Sequence, residues 1–198
     1  PTGNVFYENG ALGAAFEGTF LAADAGRNEI FSYKPVPAGA GFDLPRKIFM
    51  TSNVKQQYAG SDFVMGSTGV TRAVETLFRP SDVAVGPDGA IYVSDWIDQR
   101  VGGHQDLDET LSGAIYRIAP KGFASKPPAF DPATIDGAIT ALRSPAVNVR
   151  AIGFAALKAR GGSAVNPVAA LLKDPNPFIR GRAIFLLYQL GPDGIKRA

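Results

Sequence analysis

A single histidine, His104, and five carboxylates, Asp95, Asp98, Asp106, Asp108 and Glu109, crowd one polar stretch of this 198-residue chain. A lone histidine serves as a general base, as a metal ligand or as a packing residue of its loop. Oxygen-rich loops suit calcium, which makes Asp95, Asp98 and Asp106 candidate metal ligands; the spacing departs from the EF-hand loop, and a solvated acidic loop is the alternative. Arg27 and Arg100 each sit just after an aspartate that ends an apolar run, Asp24 or Asp95. A guanidinium fork there suits a carboxylate ligand, or else pairs with a neighbouring aspartate at the surface. Arg79, in Arg79-Pro80-Ser81-Asp82, is the third candidate cation. Arg79 and Asp82 either approach a central channel or form a buried structural pair.

The elements that must position these groups are β-patterned over residues 1–122. Short β-rich runs are expected at residues 4–7, 19–23, 29–34 and 47–51, with a turn at 24–28 where Gly and Asn tolerate positive φ. The Pro/Gly stretch at 35–41 makes a further turn, and residues 53–72 read as a long loop. Runs at Val83–Val85, at Ile91, Tyr92 and Val93, and at 114–118 form a second set, with Asp88 in the turn Gly86-Pro87-Asp88-Gly89. Phe20-Leu21-Ala22-Ala23-Asp24 aligns with Ile91-Tyr92-Val93-Ser94-Asp95 at an offset of 71, and Ile30-Phe31-Ser32-Tyr33 with Ile115-Tyr116-Arg117-Ile118 at an offset of 85. The 14 extra residues follow Trp96. Repeated units of about four short strands are the signature of propeller blades. In such a unit Trp96 is expected as a packing anchor rather than a substrate platform.

Residues 123–131 read as a linker, with Pro127-Pro128 opposing helix. Over residues 132–198 the period becomes helical. Leu142, Pro145, Val149, Arg150, Phe154 and Leu157 recur as Leu172, Pro175, Ile179, Arg180, Ile184 and Leu187, an offset of 30 throughout. Helices are expected at 132–143, 147–160, 164–173 and 177–190. Two helix pairs with a Pro turn inside each resemble HEAT-type repeats. Arg150 and Arg180 share one repeat position, either as a ladder to carboxylates of the neighbouring repeat or as a basic face for a protein partner. The expected fold class is therefore all-β followed by all-α: a partial β-propeller of two to three blades, then a HEAT-like α-solenoid.

Charge divides at the same place. Residues 1–130 hold 11 Lys and Arg against 14 Asp and Glu, a balance of −3, and residues 131–198 hold 9 against 4, a balance of +5. The positive part lacks the aromatic interleaving of a single-strand platform, so nucleic acid is not an expected partner. With no cysteine in the chain, disulfides, thiolate metal sites, a cysteine nucleophile and c-type haem attachment within it are excluded. No apolar run approaches the roughly 20 residues of a membrane span, and residues 1–10 show no signal-peptide pattern.

The segments FYENGAL at Phe6, LAADAGRN at Leu21, FRPSDVAVGPDGAIYVSDW at Phe78, GGHQ at Gly102 and IYRIAPKG at Ile115 together resemble the soluble quinoprotein sugar dehydrogenase-like propellers. The resemblance is to the sorbosone dehydrogenase-like proteins of bacteria, and it covers nearly the whole chain. It implies a six-bladed propeller followed by HEAT repeats, binding of pyrroloquinoline quinone with calcium, oxidation of a sugar or aldehyde, and export to the periplasm or beyond. On that resemblance Arg27, Arg100 and Arg79 become candidates to hold the quinone, and His104 the candidate base. The chain departs from the family pattern in two respects. Its β part supplies two to three blades of about 40–50 residues each, where closed rings need about four or more, and the Gly-His-Arg-type segment with the family's general base has no counterpart. The expectation is a C-terminal portion of such an oxidoreductase, inactive alone; the alternative is a non-catalytic propeller and HEAT scaffold.

Overall fold

The computed structural model describes residues 2–55, 78–96 and 113–198. Alternating side chains build the first sheet from β1 (Asn4–Tyr7), β2 (Thr19–Asp24), β3 (Glu29–Tyr33) and β6 (Arg46–Thr51), antiparallel and in that order. Between β3 and β6 the stretch expected as a turn instead forms a small exposed ribbon, β4 (Val36–Ala38) with β5 (Gly41–Asp43). Pro37 is compatible with it because a two-stranded ribbon is all edge, where a missing N–H costs little. The second sheet comprises β7 (Pro80–Val85), β8 (Ile91–Asp95) and β9 (Ala114–Ile118). Both sheets are open, and no closed barrel occurs among the described residues.

The internal repeat is kept down to strand register. Phe20 faces Tyr33 and Asp24 faces Glu29 across β2 and β3; Ile91 faces Ile118 and Asp95 faces Ala114 across β8 and β9. These are the pairs related by the offsets of 71 and 85. The two copies nevertheless turn different faces to each other. Val5, Tyr7, Leu21, Ala23 and Ile30 of the first sheet share one core with Val83, Val85, Ile91 and Val93 of the second. Leu21 is the repeat counterpart of Tyr92, and Ile91 of Phe20, so the face that is inner in one sheet is outer in the other. A one-residue change of phase moves every side chain across a sheet. The packing is therefore head-to-tail, with the outer face of the first sheet (Phe20, Ala22, Phe31, Tyr33) equivalent to the inner face of the second. Gly89 belongs to this contact: its φ of 83° favours glycine, and a Cβ there would lie 2.6 Å from the Ala11 nitrogen.

The helical part follows the 30-residue period. It contains α1 (Ile135–Leu142), α2 (Val147–Ala159), α3 (Val165–Ala170), α4 (Pro177–Leu187) and α5 (Pro192–Arg197). Thr134 caps α1 by accepting the Gly137 N–H at 3.0 Å, and Asn176 caps α4 by accepting from Phe178 at 2.8 Å. The third expected helix is shorter than its pattern: tight 3-10 turns at Gly161–Ala164 and Leu171–Lys173 flank α3. The core holds Leu142, Leu157, Val168, Ile179, Ala183, Leu186 and Leu187. Gly153 lets α2 lie directly on α1, since a Cβ there would stand 2.4 Å from the Leu142 nitrogen. No helix among the described residues is long and apolar enough to cross a membrane.

The arginine ladder expected at Arg150 and Arg180 is not formed. Arg150 Nη1 donates to Glu8 of the β part at 2.9 Å, and Arg180 Nη1 donates to the Asp174 and Pro175 carbonyls at 2.7 and 2.9 Å. The salt bridge between the two helical repeats is Arg143–Asp174 at 2.5 Å. Arg150 and Arg180 diverge because Arg150 faces the first sheet's loop, whereas Arg180 folds back on the turn preceding its own helix.

Candidate functional site

The strands β2 and β8 end in Asp24 and Asp95, and most of the buried polar groups of the β part gather at this end. Asn28, at φ 60°, closes the turn after β2 and donates through Nδ2 to the Phe78 carbonyl at 2.7 Å. Gly26 is not left-handed, so the positive φ expected in this turn falls on Asn28 alone. Thr51 Oγ1 donates to the Asn28 carbonyl at 2.9 Å and accepts the Asn53 N–H at 2.9 Å. From the second sheet, Arg79 Nη1 crosses to the Ala25 carbonyl at 2.8 Å, while its backbone N–H donates to Asp95 Oδ1 at 2.9 Å. Tyr116 OH donates to Asp95 Oδ2 at 3.3 Å. Burial raises the Tyr116 pKa, and the charge of Asp95 and the hydrogen bond to it raise it further, keeping the phenol a donor. Asn28, Glu29, Asn53, Arg79 and Asp95 are all buried here.

Two side chains of this end meet solvent. Arg27 is 41% exposed and stands 3.8 Å from Asp24, whose Oδ1 also takes the Arg27 N–H at 3.1 Å. Trp96 is 64% exposed, which corrects the expectation of a packing anchor. It directly follows Asp95, the last buried position of β8, and the alternation of a strand turns it to the opposite side. Asp82 is exposed and accepts the Val83 N–H at 2.8 Å; it forms no buried pair with Arg79, which turns instead toward Ala25. The candidates Arg100, His104, Asp98 and Asp106, with Asp108 and Glu109, lie outside the described residues, as does most of the long loop read at 53–72. Of the candidate residues, the structure therefore brings Arg27, Arg79 and Asp95 to one end.

These three do not form a cradle for a quinone with calcium. Arg79 is buried with its guanidinium on a carbonyl, and both Asp95 oxygens accept protein hydrogen bonds. Among the described residues no group of three His, Cys, Asp or Glu side chains is arranged to hold a metal ion. What the cluster does is fix the two sheets to each other and present Arg27 and Trp96 at their rim.

Two further polar centres escaped the sequence reading. Asp88, expected as a turn residue, does accept the Ala90 N–H at 3.0 Å within its turn. It also takes Arg117 Nη2 at 2.8 Å and Ser125 Oγ at 2.7 Å, which ties the linker to the second sheet. Burial acts to raise its pKa, but the bonds from Ser125, Arg117 and Ala90 and the Arg117 charge outweigh it and lower the value to about 2. The second centre is Glu8. Its Oε2 accepts from Arg150 Nη1 and from Arg182, whose Nε lies at 3.0 Å, and Asn176 Nδ2 donates to the Glu8 carbonyl at 3.1 Å. Burial lowers the Arg150 pKa, the Glu8 charge opposes that, and the Arg182 charge adds to it. Phe6 and Phe178 meet edge-on beside them at 5.4 Å. An open cleft of about 520 Å³ lies along this junction, with Asn9, Asp88, Lys126 and Arg143 in its lining.

No protein-family model matches the chain, and no curated protein and no solved structure matches it.

Proposed function

We propose that this chain is part of an oxidoreductase of the soluble quinoprotein, sorbosone dehydrogenase-like kind, supplying two adjacent propeller blades and a HEAT-like extension. The observation that carries the reading is the head-to-tail packing of two sheets with one strand register. A ring of blades needs this geometry, because each blade must offer one face to its predecessor and the opposite face to its successor. A two-fold sandwich would bury the same face twice. The resembling segments at Leu21 and Phe78 lie on the strands that make this contact, and the GGHQ segment at Gly102 lies outside the described residues.

In this reading the described residues are scaffold. Arg79 and Asn28 lock blade to blade, Asp95 ties Arg79 and Tyr116 together within the second, and Arg27 and Trp96 stand at the rim toward the site. Quinone and calcium, when bound, would supply the hydride acceptor and the charge stabilisation; the described side chains do not fit them. A sugar or aldehyde substrate and export to the periplasm belong to the same proposal.

The test is dye-linked oxidation of aldoses and aldehydes with added quinone and calcium. A protein carrying this sequence within a complete ring is expected to turn over, and the 198-residue chain alone is not. Turnover by the chain alone, or none by the complete ring, overturns the reading. A second reading, a non-catalytic scaffold, is favoured by the Glu8 junction, which holds the helical part rigidly against the sheets; in that case the complete ring is inactive too.

A further inference from the structure

The open cleft along the junction of sheets and helices lies at the end of β8 opposite Asp95, away from Arg27 and Trp96. Its volume of about 520 Å³ falls within the range of small-molecule sites, roughly 300–1,000 Å³. Four separate stretches of chain meet there: the loop after β1, the turn between β7 and β8, the linker, and the turn after α1.

The polar groups of this cleft are unequally matched. Asp88, its side chain 2% exposed, is covered by Arg117, Ser125 and the Ala90 N–H. Arg143 holds Asp174 through Nη2, and its other guanidinium N–H groups meet no acceptor among the described residues. Lys126 is exposed, and its ammonium meets no carboxylate among the described residues. Ser144 is 2% exposed; its Oγ accepts the Ala146 N–H at 3.2 Å, and its own O–H has no acceptor among the described residues. A buried hydroxyl proton without a partner costs free energy until something accepts it. Behind it Arg182 Nη1 donates to the Leu142 and Ser144 carbonyls at 2.8 and 3.1 Å, which makes the field in the cleft more positive. The remaining polar side chains of the lining are taken up by the protein. Asn9 Nδ2 donates to the Arg143 carbonyl at 3.1 Å, Asn9 Oδ1 accepts from Arg182 at 3.2 Å, and Thr140 donates to the Asp136 carbonyl at 2.9 Å. What is left is donors alone, on Lys126, Arg143 and Ser144, beside walls that include Pro87, Pro128 and Pro145.

We infer that this cleft binds a small organic monocarboxylate, its carboxylate at Lys126, Arg143 and Ser144 and an apolar body against the three prolines. A carboxylate supplies acceptors and no donor, which is what the leftover groups require. A single negative charge suffices, since Lys126 is the one cation of the lining not matched by a carboxylate among the described residues. A phosphate dianion would leave charge uncompensated, and a polyhydroxylated body would bring hydroxyl groups that find no partner on proline. The inference does not depend on the oxidoreductase reading.

Benzoate is the probe, with benzyl alcohol as its uncharged counterpart and inorganic phosphate as the competing anion. Titrated into the isotopically labelled chain and followed by NMR, benzoate is expected to bind in the millimolar range and to shift the amide signals of Gly10, Gly89 and Ser144. Lys126→Met removes an exposed ammonium that supports no contact of the fold, and should weaken benzoate binding about tenfold. Lys158→Met, an equal loss of charge at an exposed position of α2, should leave it unchanged. Benzoate that shifts none of these amides overturns the inference, and so does a Lys126→Met variant that binds it as well as the original chain. Benzyl alcohol or phosphate binding as tightly as benzoate overturns it too.

Discussion

Asp24 and Asp95 occupy the same place in the β repeat, yet they do different work. Asp24 is 30% exposed and holds Arg27 three residues on, across 3.8 Å. Asp95 is 6% exposed and takes the Arg79 N–H and the Tyr116 hydroxyl of its own sheet. Strand, register and residue type are the same in both; the difference is the face. Because the sheets pack head-to-tail, a position that looks outward in the first copy looks inward in the second. Position in a repeat therefore fixes geometry, and the neighbour fixes role. The same holds for Ser32, on the core face of the first sheet, and Arg117, which in the second sheet reaches out to Asp88.

The largest expected effect breaks this comparison at the aspartates themselves. Asp95→Ala strands a buried N–H and a phenol, at a cost on the order of 2–3 kcal/mol. Asp24→Ala loses an exposed ion pair and the turn hydrogen bond from the Arg27 N–H, a cost of about 1 kcal/mol or less. Urea unfolding of the two variants measures the gap directly, and equal losses would mean that both aspartates face the same environment.

A smaller effect sharpens the comparison on the opposite faces. The Asp88 carboxyl is held down from 3.8 to about 2. A depressed carboxylate contributes stability that is fully present above its ordinary value and is lost as pH falls through the folded one. Tm should therefore drop between pH 4 and pH 2, the window set by those two values. Arg117→Gln should weaken that limb by letting the Asp88 pKa rise. Substituting Ser32, the uncharged counterpart of Arg117, should leave the limb in place.

Much of the scaffold was legible because repeats and alternation are local signals. The offsets of 71, 85 and 30 located both sheets and four helices, and the β1 range follows from its alternation alone. The choice of covered face was not legible. Phe20-Leu21-Ala22 and Ile91-Tyr92-Val93 offer apolar groups on both sides, so only the partner sheet decides which side becomes core. Glu8 was invisible for a different reason: its arginines lie 142 and 174 residues away, and no spacing rule reaches that far. The β4–β5 ribbon was hidden by its Pro and Gly content, which signals turn more strongly than strand. Of the candidate site, Arg27 and Asp95 were legible as residues at or just after the strand-ending aspartates; Arg79 was read beside Asp82 and lies instead beside Asp95 and Ala25. That Arg79 would reach the Ala25 carbonyl of the first sheet, while Asp95 is taken up within its own sheet, depended again on the face.

Single-cysteine labelling tests the head-to-tail packing most directly, because the chain contains no cysteine of its own. Leu21→Cys and Ile91→Cys should be protected from a thiol reagent under native conditions, while Phe20→Cys and Tyr92→Cys should react. Protection that instead follows the sequence alignment, with positions 21 and 92 alike and 20 and 91 alike, would contradict the account.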